Sequence, residues 1–422
     1  MKVGIAGLTH LGVCLSIAAH YWGSQVVAFD TKPERVGDIK ASRFDPAEPG
    51  VVDFLSEIDS RYVITEDPRV LRDCDLVLIS VDTLLHDTGE NDDAEVAQLL
   101  RSVAAVVPSS TPIVIASQVR PGFTRAHQSV HPELYYFMET LIFGRGIERA
   151  RFPERYIIGT AQPQTALPTK LSAFLDLAGC PVHVMSYESA ELTKLSANFL
   201  LAASIAAANS LAELAESLGA DWRDIEPALR EDRRIGQHSY ISPGLGIGGA
   251  NLTRDLLGIQ AMAEARGVSA ELARGLLKHS DHMRDWTMRA LIRLRDDQQI
   301  KRLGILGVAY KPGTTSTRGS AGRALVEALE PAVDILIHDP LARLATRPEG
   351  SRAAVARSVE QVLAECDVVV VTTPWPEYAP LLQRSFDGAE GPVVVDPYRL
   401  IDRVGSSDHP SRVLQLGVAG EY

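Results

Sequence analysis

Cysteine is scarce in this chain. Four residues, Cys14, Cys74, Cys180 and Cys366, are spread over 422 positions. They form no CxxC pair, which argues against a disulfide framework or a cysteine zinc site. Each lies in or beside an apolar segment, so all four are expected to be small buried thiols. A basic patch is lacking too. The formal net charge is −12, which argues against non-specific nucleic-acid binding but not against an anionic small ligand. No basic n-region or cleavage site precedes the opening MKVGIAGL, so no secretory leader is expected and the chain reads as cytoplasmic. The most apolar helical stretch, residues 199–208, is expected to be too short and too alanine-rich to span a membrane. What is present is a globular balance, 45% hydrophobic and 23% charged, with length for two or three domains.

Short apolar runs at residues 2–6, 25–29, 75–80, 113–116 and 156–158 alternate with helical stretches. Continuous apolar runs suit parallel strands buried on both faces, and the alternation argues for a doubly wound sheet. From 186 to 218 the pattern changes to one long helix with no proline or internal glycine. Glu188 or Ser189 can cap its start and Gly219 can end it. Helical stretches continue to Leu294. After Lys301 the runs RLGILGVAY, VDILIHD, DVVVVTTP and PVVVDPY bring strands back. The expected fold is α/β, with two Rossmann-like doubly wound domains joined by a long central helix and a helical dimerisation region. Its boundaries are 1–185, 186–298 and 299–422.

GLTHLG follows the first apolar run and opens a helix, where a Gly-x-Gly-x-x-Gly turn would seat a pyrophosphate. Gly7 and Gly12 fit. Thr9 stands in place of the middle glycine, and its hydroxyl can contact a phosphate. Asp30 ends the second run, where an acid binds a ribose 2′-hydroxyl and repels a 2′-phosphate, or serves only as a strand-end turn acid. Turn and acid together favour NAD over NADP.

Residues 243–255 read PGLGIGGANLTRD. The stretch resembles the active-site loop of the nucleotide-sugar 6-dehydrogenases, the UDP-glucose, GDP-mannose and UDP-N-acetylmannosamine dehydrogenase family. That loop runs Gly-x-Gly-x-Gly-Gly-Ser-Cys-Phe-Pro-Lys-Asp. The family oxidises an alcohol twice, and its cysteine carries the thiohemiacetal and thioester. Asn251 occupies the cysteine position here, and a carboxamide forms neither sulfur adduct. Other segments carry the resemblance across most of the chain. SVDT, residues 80–83, is similar to a Val-x-Thr-Pro turn with Leu84 for the proline, and SQVRPG is similar to Ser-Thr-Val-Pro-x-Gly with Gln118 for the threonine. METLIFG is similar to Pro-Glu-Phe-Leu-x-Glu-Gly, keeping Glu139 but placing Phe143 at the second glutamate. Lys194 and Asn198 match Glu-x-x-Lys-x-x-x-Asn counted from Glu191, and i, i+4 spacing sets them on one helix face. DRRIG, residues 232–236, precedes the loop as in the family, and Arg254 replaces a lysine before Asp255. AYKPGTTSTRGS keeps Lys311, Thr314, Arg318 and Ser320 of a family segment, but Thr315 and Ser316 replace two aspartates.

The resemblance implies a catalytic set of Lys194, Asn198, Asp255 and Glu139, with Asn251 at the lost nucleophile. It implies NAD contacts from Gly7, Thr9, Leu11, Gly12, Asp30, Val81, Thr83, Gln118 and Arg318. Substrate contacts would come from Glu139, Lys194, Asn198, Tyr240, Lys311, Arg399 and the loop glycines Gly246, Gly248 and Gly249, whose open amides suit a diphosphate or sugar. It also implies at least a homodimer through the central helix. No metal, nucleic acid or membrane partner is expected. The leading expectation is an NAD-dependent dehydrogenase that oxidises a nucleotide sugar once, to a ketone or aldehyde. An NAD-retaining epimerase or dehydratase, and an inactive sugar-nucleotide binder, remain open alternatives.

Overall fold

The computed structural model describes residues 1–44, 48–83, 92–295, 300–342, 353–385, 391–401 and 413–419. Leu84 lies outside them. The chain forms two compact units, Met1–Ala197 and Asn198–Tyr422.

The first unit is built on an eight-stranded sheet. Its strands are β1 (Lys2–Ala6), β2 (Gln25–Phe29), β3 (Tyr62–Thr65), β4 (Leu76–Ile79), β5 (Ile113–Ile115), β6 (Leu134–Phe137), β7 (Tyr156–Thr160) and β8 (Val182–Ser186). They are ordered β3-β2-β1-β4-β5-β6-β7-β8. Neighbours run parallel except β6 and β7, which are antiparallel. Val3 pairs with Val26 on one side and Leu76 on the other, so the strand order reverses between β1 and β4. Ligands of doubly wound sheets bind at that switch point, outside the carboxyl ends of the strands. The five expected strands are all present. β3, β6 and β8 were not legible as apolar runs: β3 and β8 are half-exposed edge strands, and β6 is a short aromatic segment.

The long helix spans Tyr187–Leu218, and Gly219 at φ +76 follows its end. Its cap differs from expectation. Ser186 Oγ accepts from Ser189 N–H at 3.2 Å, so the capping side chain stands just before the helix rather than at Glu188 or Ser189. The expectation about membrane span also needs correction. The apolar stretch is part of an uninterrupted 32-residue helix whose best window has mean hydropathy 1.4, enough to cross a bilayer by length and composition alone. Yet Glu191 and Asn209 on this helix are buried and bonded to protein backbone.

The second unit adds the helices Trp222–Glu231, Ala250–Ala265, Glu271–Arg284 and Trp286–Arg295 and a six-stranded parallel sheet. Its strands are β9 (Arg302–Leu306), β10 (Asp334–His338), β11 (Ala354–Val355), β12 (Val368–Val371), β13 (Val393–Val395) and β14 (Val413–Leu414), ordered β11-β10-β9-β12-β13-β14.

The two sheets share the wiring of their first turns. Gly7, at φ +104, donates to Phe29 O, and Gly307, at φ +93, donates to His338 O. Asp30 accepts from Leu8 N–H at 2.7 Å, as Asp339 does from Val308 N–H at 2.8 Å. Ser80 Oγ and Thr372 Oγ1 bond to Gly7 O and Gly307 O respectively. Gly12 and Gly322 each press on the carbonyl of that first glycine, with a longer excursion between the glycines of the second pair.

Candidate active site

The helix His10–Tyr21 starts directly after the Gly7 turn. Its cap residue, Thr9, has φ −81, so a β-branched side chain fits where a glycine was expected. Thr9 does not cap the helix with its hydroxyl. Oγ1 donates to Ser80 O at 3.2 Å and accepts from Asp82 N–H at 2.9 Å, tying the turn to the end of β4. Leu11 N–H reaches Asp82 Oδ2 only at 3.4 Å, and the amides of His10 and Gly12 have no partner among the described residues. Open first-turn amides at the positive end of a helix are a seat for an anionic diphosphate. Asp30 is buried at the end of β2. Besides Leu8 N–H it accepts from Lys32 N–H, and from the Arg35 guanidinium at 3.3 Å. These residues fit a dinucleotide. Val81 is buried with its N–H on Ser117 Oγ, and Thr83 Oγ1 donates to the backbone carbonyl of the buried Gln118.

Lys194 and Glu139 form a tight pair in the first unit. Nζ lies 2.6 Å from Oε1 and 3.2 Å from the Glu139 carbonyl, with both side chains largely shielded. The other carboxylate oxygen accepts from Leu141 N–H at 2.7 Å. Glu191, whose spacing pointed to Lys194, has a structural part. It accepts the Gly122 and Thr124 amides, and burial pushes its carboxyl above the usual range despite those bonds. Phe143, at the second glutamate position, stacks on His10 at 4.1 Å. His10 Nε2 meets the buried Glu48 at 2.8 Å, and Glu48 also accepts the Gly144 and Gly146 amides. An aromatic contact thus occupies the position to which the motif resemblance assigns a glutamate.

Asn198, one turn beyond Lys194 on the long helix, belongs to a second cluster. Its Nδ2 donates to Asp255 Oδ2 at 2.5 Å, and Arg254 Nε donates to Asp255 Oδ1 at 2.9 Å. Asp255 is buried, so the arginine and the amide supply the partners a buried carboxylate needs. The glycine loop before it is packed rather than open. Gly246, at φ +77, could not carry a Cβ, which would lie 2.5 Å from Ser280 O. At Gly249, φ +79, a Cβ would lie 2.6 Å from the Tyr310 ring. The Ile247 amide goes to Ser280 Oγ and the Gly244 amide to Asn209 Oδ1. Spacing gave no hint of Ser280 or Asn209. They are short polar side chains buried among apolar neighbours, and only the loop's need for acceptors accounts for them.

Asn251 sits in the first turn of Ala250–Ala265, exposed and with no side-chain hydrogen bond among the described residues. Tyr240 and Arg318 are exposed, and Lys311 lies 5.7 Å from the centre of the Tyr310 ring. Ser320 caps the helix Ala321–Leu329. Arg399 holds a left-handed backbone, φ +57, and its guanidinium donates to Pro397, Leu416 and Pro243 carbonyls. It latches the start of the glycine loop. Arg234 pairs with its own Asp232 at the surface.

Three cysteines are buried as expected, whereas Cys180 is partly exposed. Burial pushes the Cys74 and Cys366 thiols up to about 11 and raises Cys14 and Cys180 as well. Such thiols are protonated, poor nucleophiles near neutral pH.

Residues 1–173 match the NAD binding domain of the UDP-glucose/GDP-mannose dehydrogenase family, 188–281 its central domain and 304–403 its UDP binding domain. The chain is 28% identical over 437 residues to the UDP-glucose 6-dehydrogenase AglM of Haloferax volcanii, covering 98% of this chain and 100% of that protein. It is 26% identical over 409 residues to the putative UDP-glucose 6-dehydrogenase YtcA of Bacillus subtilis, covering 94% and 95%. Among solved structures, a UDP-glucose dehydrogenase from Pyrobaculum islandicum superposes with a TM-score of 0.83 at 26% identity, covering 100% of this chain and 98% of that one.

Proposed function

Because the chain belongs to the UDP-glucose/GDP-mannose dehydrogenase family, and so is an NAD-dependent oxidoreductase acting on a CH–OH group, we propose that it oxidises a nucleotide-activated sugar once only. The product is a ketone or aldehyde, and a secondary alcohol suits the site best, since a ketone cannot proceed to an acid. The observation that carries this reading is Asn251: an exposed carboxamide at the position to which the motif resemblance assigns the cysteine that would tether the oxidised carbon. None of the four thiols is activated to replace it. We place the product in a cytoplasmic route to unusual sugars, those of antibiotics among them.

The bound cofactor supplies the hydride acceptor, and the residues of this chain manage the proton. Lys194 and Glu139 can shift from an ion pair to a neutral pair by moving one proton to the carboxylate. The free amine then takes the substrate's hydroxyl proton as the hydride departs, so the proton released stays on the pair. Asp255 has both oxygens engaged by Arg254 and Asn198. Its part is to hold Asn198 in place, and the Asn198 carboxamide can help steady the developing alkoxide. Arg399, by fixing Pro243, sets the entry of the glycine loop.

The test is a count of NADH against sugar consumed, with mass spectrometry of the product. We expect a single NADH per sugar and no carboxylate. Two NADH and a uronic acid overturn the reading. Conversion without NADH points to a retained cofactor, and tight binding without conversion to an inactive binder.

We also propose a homodimer through the long helix. Leu200, Leu211, Leu214 and Leu218 are exposed along it, Leu218 at 72%, and such an apolar stripe needs a covering partner. The double variant Leu200→Glu, Leu214→Glu is expected to elute in light-scattering chromatography as a 45.8 kDa monomer. An unchanged dimer mass would place the interface elsewhere.

A further inference from the structure

An acid at the end of β2 is a weak guard against a 2′-phosphate when cations stand beside it. Lys32 and Arg35 are such cations, with Arg35 Nη1 only 3.3 Å from Asp30 Oδ2. A nearby arginine is what accommodates the 2′-phosphate in NADP sites of this architecture. Both cations are already taken. Glu95, in the first turn of the helix Ala94–Ala104, receives Lys32 Nζ at 2.9 Å and Arg35 Nη1 at 2.7 Å on the same oxygen. Glu95 also lines a cavity with Val81, Thr83 and Val96, beside the end of β4. Asp82 and Asp92 line that cavity too and add negative charge.

We propose that Glu95 is a specificity-determining residue, keeping the cofactor site selective for NAD by occupying the two cations that would bind a 2′-phosphate. Asp30, Lys32, Arg35 and Glu95 together sum to zero formal charge. Without Glu95 the cluster becomes net positive, with a guanidinium free to turn to a phosphate. The sequence hides this arrangement. Glu95 comes from a different helix and belongs to neither the glycine turn nor the strand-end acid. Burial alone would raise its carboxyl, but the hydrogen bonds from Lys32 and Arg35 more than offset that, so it is ionised at neutral pH.

The experiment is direct titration of the full-length chain with NAD and with NADP, by calorimetry, with no sugar present. Glu95→Gln keeps the shape and removes the charge. It is expected to tighten NADP binding by at least about tenfold, as one unit of charge at ion-pair distance allows. NAD affinity should stay within about threefold of the parent, because the substitution leaves unchanged Asp30, the acid placed to receive a ribose 2′-hydroxyl. Adding Arg35→Met to Glu95→Gln should cancel the gain. Equal NADP affinity in parent and Glu95→Gln overturns the proposal. So does a parallel loss of both cofactors, which would make Glu95 a structural tie only. Since the readout is cofactor binding, the outcome stands apart from whether a nucleotide sugar is oxidised once or twice.

Discussion

Replacing Lys194 with alanine should lower kcat by about 10²- to 10⁴-fold, the usual worth of a positioned proton-transfer group. The amine is shielded, ion-paired at 2.6 Å to Glu139 and bonded to that residue's own carbonyl. Alanine leaves a carboxylate with no cation and the hydroxyl proton with no acceptor. NAD affinity is expected to hold, since neither the dinucleotide turn nor Asp30 bonds to Lys194. Glu139→Gln is the informative companion. It preserves a hydrogen bond to the amine but cannot take its proton, so it should lose turnover while leaving sugar affinity close to the parent. Steady-state kinetics with separate kcat and KM, over a range of pH, read both. If Lys194→Ala keeps turnover within about threefold of the parent, well short of the loss expected of a proton-transfer group, the proton path does not run through Lys194.

The second large effect is on stability. In Gly12→Ala the new Cβ would lie 1.8 Å from Gly7 O and 2.8 Å from Ser80 Oγ. The nearest atom is a backbone carbonyl in a turn fixed by Gly7, Phe29 and Leu8, so it cannot swing aside. Overpacking of this kind costs about 3 kcal/mol. For a unit of this size that lowers the melting midpoint by roughly 6–12 °C. NAD binding should fall with it, because the same shift spoils the seat formed by the His10 and Gly12 amides. Gly37→Ala is the control: it lies in a helix with nothing within 4 Å of the new carbon. Its melting midpoint should stay or rise slightly. If the two variants melt alike in calorimetry, close approach is not the reason for glycine at position 12.

Much of the architecture was legible from sequence because parallel strands buried on both faces write continuous apolar runs, as β1 and β4 do. β3 and β8 write no such signal, lying half-exposed at the two edges of their sheet. The pairs Lys194–Glu139 and Asn198–Asp255 join residues that motif spacing had already marked. Other parts of the site were out of reach. Thr9 looked like a defect in a glycine turn, yet its backbone needs no glycine and its hydroxyl ties two strands' ends together. Arg399 was marked as a ligand contact, and nothing in the sequence signalled that its guanidinium also donates to three backbone carbonyls. Ser280, Asn209 and Glu95 act through chain segments far apart in sequence, where local pattern carries no information. A membrane span was dismissed on ten residues, although the helix that contains them is 32 long.

The repeated turn bears on how cofactor motifs should be counted. Asp339 holds the β9 turn as Asp30 holds the β1 turn, each carboxylate gathering the amide that follows the first glycine. A scan scoring glycine, strand and terminal acid would therefore credit the polypeptide with two nicotinamide sites, although its halves match an NAD module and a UDP module. The aspartate is a girder of this architecture before it is a reader of ribose, and ligand identity must be sought in the side chains arrayed around it.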